Sequence, residues 1–518
     1  LRRRPIKTLT STQTSTQKSR RCDPICKIVL TYGANSYTYD FRRIATSNTR
    51  LIKSTHREEQ WSQKATVILN DSDLTLTGLD LEGYKGVISY GFTTSAGDEY
   101  TAAAPLWVVG QQRDSMQGKV LSSLSLEGIF DRMAKDKAST SLTLADTETK
   151  TIKTFITQIA GATLAPYTHC KAYTVTYDSE DSLIDSFAPA DYFRINLNDS
   201  RLSKIRELLS YTMCRARAEN DGNIHVLVPR ISGSTWAANT AYVLNDYVQP
   251  ASPNDNFTYQ CTTAGNSHAT TEPTWPTTDG GTVADGTVTW TARAHHYEYS
   301  LADTFHTFLS KRFRRRVVSP NYIVVRSHPD HTPSYTGFAK DDSADLTDME
   351  EREYHYVRAT SNAQCTSLAK AYLSRYQLAD EQGAGILPIM NIAAEVYDYN
   401  KITDSRASDN AIGNVGWLTR KVAGNKFGMD FGFGTPSLLP LEVLAEMATG
   451  QAAGVAGAEK APRYVSYDTL MEVLDNIYGN FESVVTIMET QMWTVDSMKA
   501  YITDAIMAKL HVTQQLII

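Results

Sequence analysis

The N-terminal part of the chain alternates apolar and polar residues in short runs that end at turn residues. Residues 27–32 lead into a Gly-Ala-Asn turn, and residues 65–70 end at an Asp-Ser-Asp sequence. A period of two predicts strands with one buried face, and many such strands in series predict a small barrel or a sandwich. Residues 22–140 are therefore predicted to form a β-rich domain.

The pattern changes to a helical period over residues 141–231. Apolar residues lie three and four positions apart in residues 151–160 and 200–218, which predicts two helices. Asp199 or Ser200 is a suitable N-cap for the second helix. An Asp-Gly turn and an apolar strand follow, so this segment is predicted to be an α+β domain.

Residues 232–294 differ in composition from both neighbours. Thr, Ala, Gly, Asn, Pro and aromatic residues dominate, and Arg293 is the one basic residue. Residues 295–444 then return to a mixed pattern and are predicted to continue the earlier domain. In this continuation a helix is predicted over residues 361–376, with the inward-facing positions Cys365, Leu368, Ala369 and Tyr372. The sequence therefore predicts a small all-β module inserted into a host domain.

The C-terminal segment has a coiled-coil pattern. Residues 445–463 are rich in Ala and Gly and are predicted to be a linker. Over residues 464–518, apolar residues recur at alternating steps of four and three, with polar Gln491 in one seam position. The seam consists of Leu470, Leu474, Ile477, Phe481, Val484, Met488, Val495, Met498 and Ile502. We expect an oligomerising helix and a homotrimer; packing of the seam onto the chain's own body is the alternative.

Charge argues against a general nucleic-acid surface. The net charge is −6, with 51 basic and 57 acidic residues. Basic clusters occur in residues 1–21, which are predicted to be a mobile polar arm, and in residues 311–316. Contact with DNA phosphates is one interpretation of these clusters, and a solvated face or a subunit contact is the favoured one.

The cysteines and the apolar runs indicate the cellular compartment in which the protein is expected. The six cysteines are scattered, so we expect no disulfide framework, and we expect assembly in a reducing cytoplasm. The opening Leu-Arg-Arg-Arg-Pro precedes no apolar stretch, so we expect no secretory signal. Whether Leu1 is the true start stays open. No apolar run is long enough for a membrane span, so we expect no stable membrane insertion.

The predicted module carries an opening Trp, a Tyr-Gln-Cys strand, Glu-Pro-Thr-Trp-Pro and a closing Asp-Gly-Thr-Val-Thr-Trp. In these features it resembles the small carbohydrate-binding modules found with chitinases and in many phage tail proteins. Flat aromatic rings stack on the apolar faces of sugars, and so small a domain cannot bury many of them. The candidate glycan-binding residues are Trp236, Tyr242, Tyr247, Tyr259, Trp275 and Trp290. Core positions for Trp236 and Trp290, and an inert insert, remain alternatives.

The host segments carry distributed motifs such as Leu-Glu-Gly-Ile-Phe-Asp at residues 126–131 and Asn-Asp-Gly-Asn-Ile-His-Val at residues 220–226. In these motifs they resemble phage tail hub and tip proteins. The resemblance implies a ring-forming baseplate hub at the tail tip of the virion, which closes the tail tube, carries a central fibre and is assembled in the host bacterial cytoplasm. The implied partners are the tube, the distal tail, the central fibre and host surface polysaccharide.

We find no catalytic pattern and expect neither an enzyme nor a cofactor. The acidic residues between 341 and 351 are predicted to form a solvated loop rather than a glycosidase pair. His328, Asp330 and His331 lack further ligands at a recognisable spacing, so no metal site is predicted. Two other functions remain open, namely a secreted or tail-borne polysaccharide hydrolase that carries a binding module and an assembly protein with an inert insert.

Overall fold

The computed structural model describes residues 7–434, apart from residues 20, 232, 253–255, 303–304, 314–317, 328–331, 342, 382, 408 and 425. The chain divides into two units, Leu1–Leu438 and Leu439–Ile518, and every described residue lies in the first. The predicted linker 445–463 and the predicted helix 464–518, with its whole seam, therefore lie outside the described residues. Within the described residues, no helix is both long and apolar enough to cross a membrane.

The N-terminal segment does not form a mobile arm over its described residues. Residues Ser11–Thr16 form helix α1, which begins with a capping box between Thr10 and Gln13. Gln13 is buried and donates from Nε2 to Thr101 Oγ1 at 3.2 Å. Glutamine and threonine side chains thus attach the segment to the body, which its polar composition did not suggest.

Residues 24–127 form antiparallel strands, as the alternation predicts. In residues 65–69 of the fourth strand, Ala65, Val67 and Leu69 are buried. The strands are β1 (Pro24–Tyr32), β2 (Asn35–Phe41), β3 (Leu51–Glu59), β4 (Ser62–Asn70), β5 (Lys85–Thr94), β6 (Gly97–Ala102), β7 (Leu106–Met116) and β8 (Lys119–Glu127).

The next region mixes short helices and strands. Its elements are α2 (Ile129–Lys135), β9 (Leu142–Thr143), α3 (Ile152–Ala160), β10 (Val175–Tyr177), α4 (Ser182–Ser186), β11 (Arg194–Ile195), α5 (Arg201–Ser210), β12 (Arg215–Ala218) and β13 (Ile224–Leu227), with 3₁₀ turns at Ala165–Tyr167 and Ala190–Tyr192. Ser200 caps α5 as predicted. The prediction that this helix reaches residue 218 is wrong, because residues 215–218 pair with β13 instead.

The segment after β13 consists of short strands. These are β14 (Ser234–Thr235), β15 (Ala241–Tyr242), β16 (Tyr247–Gln249), β17 (Phe257–Thr263), β18 (Gly265–Asn266), β19 (Thr282–Asp285) and β20 (Val288–Ala294). Among the described residues they pair only with one another, in the orders β14-β16-β17-β20-β19 and β15-β18. Residues 234–294 are called the module below.

The remaining described elements follow the module. They are β21 (Tyr297–Ser300), β22 (Ser310–Phe313), β23 (Tyr322–Ser327), β24 (Thr336–Lys340), α6 (Ser343–Thr347), β25 (Arg352–Val357), α7 (Asn362–Asp380), β26 (Gly383–Leu387), β27 (Tyr399–Asp404), β28 (Asp409–Ala423) and β29 (Lys426–Phe433). The predicted inward positions of α7 are all buried.

Strands from the two ends of the described chain form one long sheet. Its order is β2-β1-β5-β7-β8-β4-β3-β28-β29-β26-β22. The two halves join where β3 pairs with β28, from Glu59 opposite Trp417 to Lys53 opposite Ala423. No described pairing links β2 to β22, so the long sheet is open and is not a closed barrel.

Each of the two larger cores combines residues that precede the module in the sequence with residues that follow it. One lies against the long sheet and combines residues 26–126 with residues 299–433. The other combines residues 129–228 with residues 323–373, and these residues are called the α+β region below. The structure is therefore β-rich, with helices concentrated in the α+β region, and the continuation after the module contributes to both cores.

Candidate functional site

The module has a small aromatic core of its own. Strands β17 and β20 lie at its centre, where Cys261 is opposite Trp290. The side chains of both residues are fully buried, as is that of Tyr259. Because the strands are short, aromatic rings rather than many aliphatic side chains fill the interior.

One buried carboxylate holds two of the indole rings. Asp285 Oδ2 accepts from Trp236 Nε1 at 2.8 Å and from Trp290 Nε1 at 2.9 Å. Its Oδ1 accepts from the backbone N–H of His268 at 2.8 Å. The turn after Asp285 needs glycine, since Gly286 has a φ of 62° and an added Cβ would lie 2.5 Å from the carbonyl oxygen of Asn266.

A second carboxylate orients the third indole ring. Trp275 Nε1 donates to Glu272 Oε1 at 2.7 Å, and the same oxygen accepts from the backbone N–H of Ala251 at 2.9 Å. The Trp275 ring packs on Tyr259 with centroids 4.3 Å apart. Tyr259 in turn donates its hydroxyl to the carbonyl oxygen of Pro276 at 3.0 Å. The indole is thus held in a single orientation.

The structure divides the six predicted glycan-binding residues into two groups. Tyr242, Tyr247, Tyr259 and Trp290 are buried, so in this conformation their rings offer no face to a sugar. Trp236 and Trp275 are partly buried and border the module core. The expectation that some rings lie near the surface therefore rests on these two indoles. Tyr242 is a core ring that meets Trp290 edge-on at 4.8 Å.

A few polar contacts attach the module to the α+β region. Lys370 Nζ on α7 lies 2.8 Å from Asp246 Oδ2. Asn245 Nδ2 donates to the carbonyl oxygen of Glu180 at 3.2 Å. A cleft of about 540 Å³ between the two is lined by Tyr247, Asp246 and Lys370, among others. The sequence did not indicate this cleft, because it joins residues far apart in the chain.

A titratable cluster in the α+β region was also not predicted. His225 Nδ1 lies 3.0 Å from Asp178 Oδ2 and 3.7 Å from Glu219 Oε2, and its Nε2 lies 3.0 Å from Asp221 Oδ2. Burial lowers the pKa of His225, but the bond to Asp178 and the charges of Glu219 and Asp221 outweigh burial and raise it to about 9.

The ligand atoms of Asp178, Glu219 and His225 lie within 4.8 Å of one another, close enough to surround a cation. However, Arg217 donates to Glu219, and a protonated His225 satisfies both Asp178 and Asp221. These side chains therefore serve as partners for one another, although Arg217 is also shared with Glu395 and Asp398.

The other residues considered for chemistry form no recognisable site among the described residues. Asp345 is exposed and pairs with Lys340 at 2.5 Å, and Glu350 pairs with Lys340 and Arg352. Such exposed pairs are typical of a solvated surface. The segment from His328 to His331 lies outside the described residues.

No family model matches the sequence, and neither does any curated protein. Solved structures of tail proteins are among the structures to which this chain is similar. The tail protein from Neisseria meningitidis MC58 has a TM-score of 0.48 and 8% identity, over 79% of this chain and 96% of its own. The prophage MuSo2 43 kDa tail protein from Shewanella oneidensis has a TM-score of 0.43 and 8% identity, over 79% and 98%.

The prophage tail protein gp18 from Listeria monocytogenes EGD-e has a TM-score of 0.41 and 9% identity, over 83% of this chain and 99% of its own. These structural neighbours are all tail proteins.

Proposed function

We propose that this chain is a structural subunit of a phage-type tail tip, a baseplate hub that closes the tail tube and anchors a central fibre. The motifs in the host segments support the proposal by their resemblance to hub and tip proteins. The long sheet agrees with it, because strands from both ends of the described chain form one extended scaffold. In this proposal the protein acts by assembly and contact rather than by catalysis.

The observation that carries the proposal is the independent module. Its strands pair only with one another among the described residues, its core is its own, and polar contacts such as Lys370 with Asp246 attach it to the scaffold. A scaffold interrupted by a self-contained domain suits a subunit that presents a binding surface. We propose that this surface contacts host polysaccharide through Trp275 and Trp236.

Trp275 offers the direct test of glycan contact. Trp275→Ala removes the partly exposed indole, so binding of the full chain to host surface polysaccharide should weaken about tenfold or more. Trp275→Phe keeps a ring against Tyr259 and should bind with intermediate strength. Tyr354→Ala removes an exposed ring from the α+β region and should leave binding unchanged. Unchanged binding by Trp275→Ala contradicts the glycan role.

The hub role is tested by oligomeric state and position. We propose a trimer held by residues 465–515, which lie outside the described residues. Sedimentation should give three times the chain mass for the full chain and one chain mass after truncation at Ala461; an unchanged mass contradicts the coiled coil. An epitope placed after exposed Gly280 should mark the tail tip of intact particles. Release of reducing sugars from chitin or peptidoglycan by the purified chain would favour a hydrolase instead.

A further inference from the structure

A second cleft lies away from the module, between the long sheet and the α+β region. Its volume is about 550 Å³, within the range of sites that hold small ligands, roughly 300–1,000 Å³. One wall is the β1–β2 turn with parts of β5 and β7, and the other is formed by residues 171–174 and 221–223. The cleft uses none of the residues proposed for glycan contact in the module.

The cleft is positively charged. Lys85, Arg132 and Lys171 line it, and none of them forms an ion pair with another described residue. Asp221 is the one acidic residue of the lining. Its carboxylate already accepts from the backbone N–H of Asn223 at 2.9 Å and lies 3.0 Å from His225 Nε2. Three cations therefore face the cleft without a matching anion.

Arg132 is held in position by an aromatic ring. Its guanidinium lies 4.4 Å from the centroid of the Trp107 ring, and Trp107 meets Tyr173 edge-on at 6.4 Å. A guanidinium stacked in this way keeps its N–H donors directed outward at its rim. Because no described residue accepts from the Arg132 side chain, its donors are available for the two oxygens of a carboxylate or a phosphate.

The rest of the lining suits a sugar. Tyr32 lines the cleft and is 63% exposed as a residue, so its ring can offer an apolar surface. Hydroxyl and amide groups of Thr31, Thr174 and Asn223 complete the lining, and such groups exchange hydrogen bonds with sugar hydroxyls.

We propose that this cleft binds an acidic saccharide unit, a sugar that carries a phosphate or a carboxylate. In this proposal the anion lies against Arg132, and the positive charges of Lys85 and Lys171 attract it further. The sugar ring packs against Tyr32. The site stands on its own geometry and does not require the module to bind glycan.

Calorimetric titration of the full chain tests the site, with glucose 6-phosphate and glucuronic acid as probes. At least one acidic sugar should bind saturably, and Arg132→Gln should weaken that binding about tenfold or more. Lys171→Gln changes only an exposed side chain, so it should keep the fold and weaken binding by a smaller factor. Lys119→Gln removes an exposed charge outside the cleft and is the matched control.

Three comparison ligands define the class. Neutral glucose lacks the anionic group and inorganic phosphate lacks the sugar ring. Each should therefore bind at least about tenfold more weakly than the acidic sugar. The proposal is overturned if neither acidic sugar binds, if Arg132→Gln binds as well as the unchanged chain, or if phosphate alone binds equally well. Tighter binding of uridine monophosphate would also overturn it, in favour of a nucleotide site.

Discussion

The module and the α+β region keep their interiors together in different ways. The core of the module consists of a few aromatic and small residues, while that of the α+β region gathers several times as many apolar side chains from two separated segments. In the module one carboxylate, Asp285, orients two indoles of a small core. In the α+β region, buried polar groups such as Arg201 and Asp181 also form several hydrogen bonds, but a much larger apolar core surrounds them. The stability of the module is therefore expected to depend on single hydrogen bonds far more than that of the α+β region does.

Asp285→Ala should give the largest effect. It leaves the N–H groups of Trp236, Trp290 and His268 without their acceptor, and Trp290 is fully buried. We expect the free energy of unfolding of the module to fall by about 4 kcal/mol, so the module should unfold at a lower urea concentration than the remainder. Urea unfolding followed by tryptophan fluorescence should then show two separate transitions.

The matched control is Asp181→Ala in the α+β region. Asp181 is also buried and also accepts from three N–H groups, in its case the backbone groups of Leu183, Ile184 and Met213. Because Asp181 lies in a much larger core, we expect this whole region to unfold in one transition at a lower urea concentration. We expect no additional transition. If both variants unfold in one transition at the same urea concentration, the contrast between the two regions is wrong.

The His225 cluster should give an intermediate effect that depends on pH. Its folded-state pKa, about 9, lies above the ordinary value of 6.5. The protonated ring therefore stabilises the fold fully below about pH 6.5, and this contribution is lost as the pH rises through about 9. Allowing for solvent screening at the exposed Asp221, we expect protonated His225 to contribute about 2 kcal/mol to the free energy of unfolding.

Urea midpoints of the unchanged chain and of His225→Gln, compared at about pH 6 and about pH 10, measure this contribution. The difference between the two proteins should shrink with rising pH. Burial also raises the pKa of Glu381, to about 8, which makes both proteins less stable as the pH rises. Subtraction removes that background, and a difference that does not vary with pH would exclude the assigned role of His225.

Lys370→Met should give the smallest effect. The pair with Asp246 is partly exposed, and such pairs contribute at most about 1 kcal/mol. Only the transition of the module should shift, because the pair joins the module to α7. Lys421→Met, which breaks a pair with Asp430 inside the long sheet, should shift the main transition instead. A large loss from Lys370→Met would mean that the module needs its attachment in order to fold.

The sequence predicted those elements whose information is local. The inward face of α7 follows from spacing within one helix, and the strands of residues 24–127 follow from alternation. The end of α5 was misplaced because residues 215–218 prefer to pair with β13, and that preference is not visible in a helical period.

The candidate site could be predicted only as a set of residue types. The aromatic residues of the module are plain in the sequence, but their burial is decided by partners far away in the chain, such as Asp285 for Trp236. The cluster around His225 was missed for the same reason, since Asp178 reaches it only through the parallel pairing of β10 with β13. Distant pairing therefore limited the prediction more than local propensity did.

The junction of β3 with β28 has a consequence for the nascent chain. Synthesis runs from the N-terminus, so β4 is available to pair with one edge of β3 early on. The other edge of β3 has no partner until residues 417–423 have been synthesised. An uncovered strand edge is a template for unwanted association between chains. Lys53, Arg57, Glu58 and Glu59 place positive and negative charges along that edge. Charged side chains on a strand edge disfavour such association, so we expect them to keep growing chains apart until residues 417–423 are made.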